Sequence, residues 1–168
     1  VSTRTREVLT AAAVIGPYFE LDLLEEVAHV DNDTLMAALE QAEQAHLLKG
    51  PSGRQERRWR FAHQLICQTL ASVLPQHRRQ RLHLRIADAM HRLNSSSGAY
   101  TSDIAHHLYS AGSMADGART ARALIAAGNA AYAIYATDEA VRHYHRVLEI
   151  LKEARELEAD RLGVEERL

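Results

Sequence analysis

The 168-residue sequence holds a single cysteine, Cys67, so no internal disulfide can form, and its apolar neighbours suit a packing thiol in a reducing compartment. No apolar run reaches the roughly 18 residues that span a bilayer, and no signal-peptide core stands at the N-terminus. A soluble, cytoplasmic chain with no membrane partner is expected. The phosphate-cradling and nucleophile motifs are missing as well. No glycine-rich stretch ends in Gly-Lys-Ser/Thr, and neither Gly-x-Ser-x-Gly nor His-Glu-x-x-His occurs. Self-contained nucleotide hydrolysis is unsupported and the chain reads as non-enzymatic. Aromatic and flexible residues are scarce, with two Phe, one Trp and eight Gly beside many Ala and Leu, which favours helices.

What is present is ordinary globular composition, 46% hydrophobic and 25% charged, enough to exclude wholesale disorder. The length allows one sizeable core or two small ones in series. The net charge of -2 conceals a polarity along the chain: acids gather between Glu25 and Glu43 and again after Glu149, while arginines crowd the middle. A globally basic nucleic-acid binder is not indicated.

Apolar spacing predicts a helix over Thr3–Val14 that stops at Gly16-Pro17, a second from near Leu21 with Leu24, Val27 and Ala28 on one face, and a third from Asp33 to Ala45. The third is capped by the Asp31-Asn32-Asp33 cluster. The only strand-like stretch is His46–Lys49 with Arg58–Phe61, flanking a turn at Gly50-Pro51-Ser52-Gly53. Three helices followed by a hairpin is the winged-helix plan, with the arginine-rich second arm expected at the edge of the wing. From Ala62 onward the pattern is helical, Pro75 opens a helix, and Ser-rich Asn94–Gly98 reads as a loop. In the last third, Leu124, Ala127, Gly128 and Ala131 precede Ala140, Tyr144 and Val147. The 12 residues from Gly128 to Ala140 match the small-residue spacing of a tetratricopeptide helix pair. A fainter copy, Ile104, Ala105, His106, Tyr109 and Gly112, lies upstream. The stretch from Glu158 to Leu168 reads as the opening of another repeat, so the sequence is expected to be cut from a longer array.

The fold class expected is therefore mainly α: a winged-helix-like unit with a small β-hairpin over residues 1–74, then antiparallel helix pairs of a TPR-like superhelix over 75–168. Ten histidines raise a metal site, but His106 with His107 and His143 with His145 lack the i, i+4 spacing that brings two imidazoles to one ion, so no metal is expected. Arg54, Arg57, Arg58 and Arg60, continued by Arg78, Arg79 and Arg81, form a candidate basic contact patch. The helix that would enter a major groove carries Asp33, Glu40 and Glu43 and no Lys or Arg, so sequence-specific DNA binding is not expected. His63 stands where a strand gives way to a helix, a position where free N–H groups and the helix dipole attract phosphate.

The order Ala11–Gly16, Phe19, Leu39–Leu48, Arg60–Ile66, Arg78–His83, Ala105–Leu108 and Ala111-Gly112 resembles the region after the ATPase core of bacterial signal-transduction ATPases with numerous domains. That class includes large LuxR-type transcriptional activators and proteins carrying cyclase or kinase domains. The likeness covers nearly the whole chain. It implies a winged helix that clamps ATP or ADP bound by the core, followed by repeats that sense a protein or small-molecule inducer. Arg60–Ile66 is also similar to the Met-His-Asp motif of plant resistance and apoptosome ATPases, whose histidine approaches the ADP phosphate. His63 matches that histidine, while Ala62 and Gln64 stand in place of the Met and Asp. The resemblance implies a non-catalytic regulatory module of a multidomain ATP-dependent transcriptional regulator, with its own ATPase core and output domain as partners and no cofactor held by this chain alone. The alternatives are the same module serving a fused nucleotidyl cyclase or kinase, and a free-standing peptide-binding adaptor.

Overall fold

A computed structural model describes residues 1–52, 57–93 and 100–165. The chain is mainly helical, with one small antiparallel sheet. Helix α1 (Thr3–Ile15) begins at Ser2, whose Oγ accepts from the Thr5 amide at 3.0 Å, and ends at Gly16, where φ of +148° favours a residue without a side chain. Strand β1 (Tyr18–Glu20) leads into α2 (Leu21–Ala28). Helix α3 (Asn32–Gln44) is capped by Asp31, whose carboxylate accepts from the Thr34 amide at 2.8 Å and from its hydroxyl at 2.7 Å. Such a cap contributes about 1 kcal/mol. These two hydrogen bonds also hold the exposed Asp31 carboxyl below its ordinary pKa, the backbone bond most strongly.

Strands β2 (Leu48–Lys49) and β3 (Arg58–Phe61) form the expected antiparallel pair, with Leu48 opposite Phe61. One expectation is corrected here. The hairpin is not the only strand structure: β1 pairs with β3, Phe19 opposite Trp59 and Glu20 opposite Arg58, so the sheet order is β1-β3-β2. The arginine-rich arm is therefore the central strand and not the edge of the wing. Three residues were too short for a period-2 pattern to show, yet they bury Phe19 against Phe61 with ring centroids 6.0 Å apart. The Pro17 carbonyl extends the ladder by accepting from the Phe61 amide at 3.1 Å. Gly53 of the expected turn lies outside the described residues, as does the Asn94–Gly98 loop.

Helix α4 (Gln64–Ser72) buries Cys67, whose thiol donates to the Ala13 carbonyl at 3.3 Å, and burial pushes the thiol's pKa up. Helix α5 (Gln76–Leu93) starts directly after Pro75 and packs on both α1 and α2. The main core accordingly runs on from Val8, Leu24, Leu39 and Phe61 to Ile86, Ala89 and Met90, past the expected division after Leu74. Helices α6 (Thr101–Ala111), α7 (Gly117–Ala133) and α8 (Thr137–Glu165) then stack in chain order, α6 on α5, α7 on α6 and α8 on α7. A Cβ added at Gly128 of α7 would stand 2.6 Å from the Tyr144 ring, so the glycine is what lets α8 approach this closely. The small-residue spacing read from Gly128 to Ala140 thus corresponds to a real seam. Among the described residues no turn follows Glu158. Helix α8 continues to Glu165, where a new repeat was expected to open.

Candidate functional site

His63 is the N-cap residue of α4 and takes extended backbone angles (φ -139°, ψ 137°) directly after β3. Its side chain makes no capping bond and is exposed. Its carbonyl is engaged by the Ile66 amide at 3.1 Å, which starts the helix. Beside it lies an apolar cleft of about 440 Å³ bounded by Leu9, Leu47, Leu65, Ile66 and Leu70, with Arg6 at its rim. Together these present a helix N-terminus, an imidazole and a guanidinium around aliphatic walls. Such a cleft can receive an anion over the helix end while an apolar group rests beside it.

The arginines of the candidate basic patch do not converge on this point. Arg54 lies outside the described residues. Arg57 precedes β3, and Arg58 and Arg60 alternate on its exposed face with buried Trp59 between them. Arg58 is committed to Glu20 at 3.2 Å, and Glu20 also accepts from the Tyr100 hydroxyl at 3.1 Å. Arg78 and Arg81, on the first turns of α5, face a separate groove against α1 and α2. Arg79 turns toward His83 and lowers its pKa.

Spacing along the chain did not reveal that the fold gathers histidines from three helices. His83 of α5 and His107 of α6 meet Nδ1 to Nδ1 at 2.8 Å, a distance that requires one proton shared between two rings. The His106 ring lies 5.2 Å from that of His107 and 6.1 Å from that of His83. His143 of α8 is 4% exposed, 3.4 Å from the Ser102 hydroxyl and 3.6 Å from Glu139, with no partner for its Nδ1. Burial, with His106 and Arg79 adding repulsion, lowers His83 to a pKa of about 4. Burial, with His83 and His106 beside it, lowers His107 to about 3, against a small opposing effect of the Ile15 carbonyl. His106 is lowered for the same first reason, and Asp103 next to it is raised by burial. His83 and His107 are neutral packing groups at neutral pH. Among the described residues no group of three or more His, Cys, Asp or Glu has a geometry that holds a metal ion. The signal that would have found the cluster is tertiary, because His83 and His107 are 24 residues apart.

Helices α7 and α8 carry exposed Ile125, Tyr132, Val141, Leu148 and Leu151, with Tyr144 part-exposed at the seam between them. On α8, Val141, Tyr144, Leu148 and Leu151 recur at the spacing of a helix-packing stripe, of which Tyr144 already packs on α7. Among the described residues no helix is long and apolar enough to cross a membrane. Comparison of the chain with protein-family models, with curated proteins and with solved structures gives no match.

Proposed function

We propose that the chain is a non-catalytic regulatory module of a multidomain, ATP-dependent transcriptional regulator in the cytoplasm, in which the winged-helix-like half reads the nucleotide state of an ATPase core and the helix pairs receive an inducer or partner. The observation that carries this reading is His63. It sits at the start of α4 with its ring exposed and free of any capping bond, next to a cleft whose walls are aliphatic. A capping histidine would bond its own helix. One that leaves the helix N-terminus open suits an anion supplied from outside the chain. The exposed apolar side chains Val141, Leu148 and Leu151 along α8 support the second half of the reading, since a surface of that kind receives another helix or an apolar ligand.

Allostery follows from differential binding. Nucleotide held across the core and His63 favours a closed state, and ligand on the helix pairs shifts the balance. A hydrogen bond to a charged phosphate contributes roughly 1.5 to 3 kcal/mol, or about one to two decades in the closed-to-open ratio. His63→Leu, made in the protein together with its ATPase core, is expected to raise basal output and speed ADP release while leaving the fold intact. Basal transcription and the ADP off-rate are the measurements. A folded variant that releases ADP at the wild-type rate and stays silent without inducer would reduce His63 to a helix-start residue.

A further inference from the structure

The groove between α1, the end of α2 and the start of α5 has a volume of about 400 Å³, within the range of about 300 to 1,000 Å³ usual for small-molecule sites. Its floor is aliphatic, made by Val8, Ala11, Val27, Ala28 and Leu82. Its walls are cationic. Arg78, Arg81 and Arg85 follow one another at helical spacing along α5, Arg6 faces them from α1, and Glu7 is the one acid in the lining. Among the described residues no carboxylate stands within ion-pair distance of any of these four arginines; the carboxylates nearest to arginines elsewhere are taken by Arg58, Arg92 and Arg119. Arg85 is half-buried, and its Nη2 donates to the Val27 carbonyl at the end of α2. Its Nε is shielded from water with no acceptor, and burial lowers its pKa. Four guanidinium groups beside a single carboxylate, with no ion pair among the described residues and one N–H unsatisfied, leave an excess of positive charge that an anion would offset.

We propose that this groove is a binding site for a small amphiphilic anion, a carboxylate or phosphate head on an aliphatic body. The head pairs with Arg78 and Arg81, whose planar forks match both oxyanions. The body lies on the aliphatic floor. No aromatic ring lines the groove, so the stacking that would hold a nucleotide base is missing, and the floor would be wasted on a bare inorganic ion. The groove lies against the winged-helix-like half and shares only Arg6 with the lining of the His63 cleft, and its head-group contacts at Arg78 and Arg81 do not depend on the nucleotide-sensing reading.

The test is isothermal titration and thermal shift of the intact chain with octanoate, octyl phosphate, octanol and inorganic phosphate. Octanoate and octyl phosphate are expected to bind and raise Tm, and the stronger of the two identifies the head group. Octanol and phosphate should bind at least about tenfold more weakly, each lacking one half of the interaction. Arg78→Gln and Arg81→Gln, both at exposed positions that leave the fold intact, should each weaken the anion by about tenfold, while Arg122→Gln on α7 should leave it unchanged. The proposal is overturned if neither amphiphile binds at millimolar concentration, if octanol or phosphate alone binds as tightly, or if the two α5 variants bind like the wild type.

Discussion

Around α1 the core is built from large side chains, Leu9, Leu24, Leu35, Leu39, Phe19 and Phe61, drawn from helices and sheet alike. Between α6, α7 and α8 it is built mainly from Ala105, Ala127, Ala131 and Ala140 around Leu124 and Val147, with Thr120 and His143 buried among them. The difference is one of mechanism. Large aliphatics remove much apolar area from water, at about 25 cal/mol per Å², whereas an alanine seam removes little per residue and gains instead from close backbone approach. The first region can hold a shape by itself. The second holds its shape through each helix resting on the one before, as stacked repeats do, and it also carries polar groups that must stay satisfied or neutral.

The comparison can be broken most directly by cutting matched side chains. Leu39→Ala is expected to cost about 2 to 5 kcal/mol in chemical denaturation, since its site is enclosed on all sides by rigid neighbours. Leu124→Ala should fall near the low end of the same range, because the alanine-lined helices around it can close on the gap. Equal losses, or a larger loss at Leu124, would show that the second region is as tightly held as the first.

A smaller effect, at the contact of α5 with α6 where the two regions meet, should appear with pH. The folded-state pKa values of His83 and His107 lie below the ordinary value of 6.5, so the unfolded chain binds more protons between those limits. The stability these groups permit is therefore fully present above about pH 6.5 and is lost as pH falls toward about 4 and then 3. Arg79 of α5 and His106 of α6 face the pair, and Asp103 of α6 with His143 and Arg146 of α8 in turn face His106. Asp103, raised by burial, and the Ile15 carbonyl beside His107 oppose the trend. Lowering the pH from 7 to 4.5 should cost about 2 kcal/mol for each of the two rings, and hydrogen exchange should report the loss first in α5 and α6. His83→Gln should flatten the dependence. An unchanged slope in that variant would mean that the shared proton is not the cause.

The smallest effect tests the seam itself. Gly128→Ala places a methyl group against Tyr144, whose hydroxyl donates to Asn129 at 2.8 Å. Overpacking costs about 1 to 3 kcal/mol, and the better helix propensity of alanine returns about 1, so a net loss of about 1 kcal/mol is expected by thermal denaturation. Gly128→Ala with Tyr144→Ala should recover most of it. No loss in the single variant would mean that α8 is free to move off α7.

Much of this fold was legible because it rests on local rules. The Asp31 cap, the stop at Gly16, the start after Pro75 and the Gly128 seam each follow from the chemistry of one residue and its near neighbours. Strand β1 was not legible, since three residues show no periodicity and its existence depends on β3, about 40 positions away in the chain. The His63 site was half legible: the strand-to-helix junction is a local pattern, while the cleft beside it needs Leu9 and Leu47 to arrive from α1 and the edge of the sheet.

The amino-acid sequence by itself determined the helical character of this protein, the caps and turns that punctuate it, and the position of His63 at a helix start, because propensity, capping and periodicity act within a few residues of each other. The tertiary structure alone decided which titratable groups meet. His83 faces His107 because α5 packs on α6, and Arg6 faces Arg78 and Arg81 because α1 packs against α5. Charge and proton affinity depend on neighbours within a few ångströms, and those neighbours are chosen by packing between elements far apart in the chain.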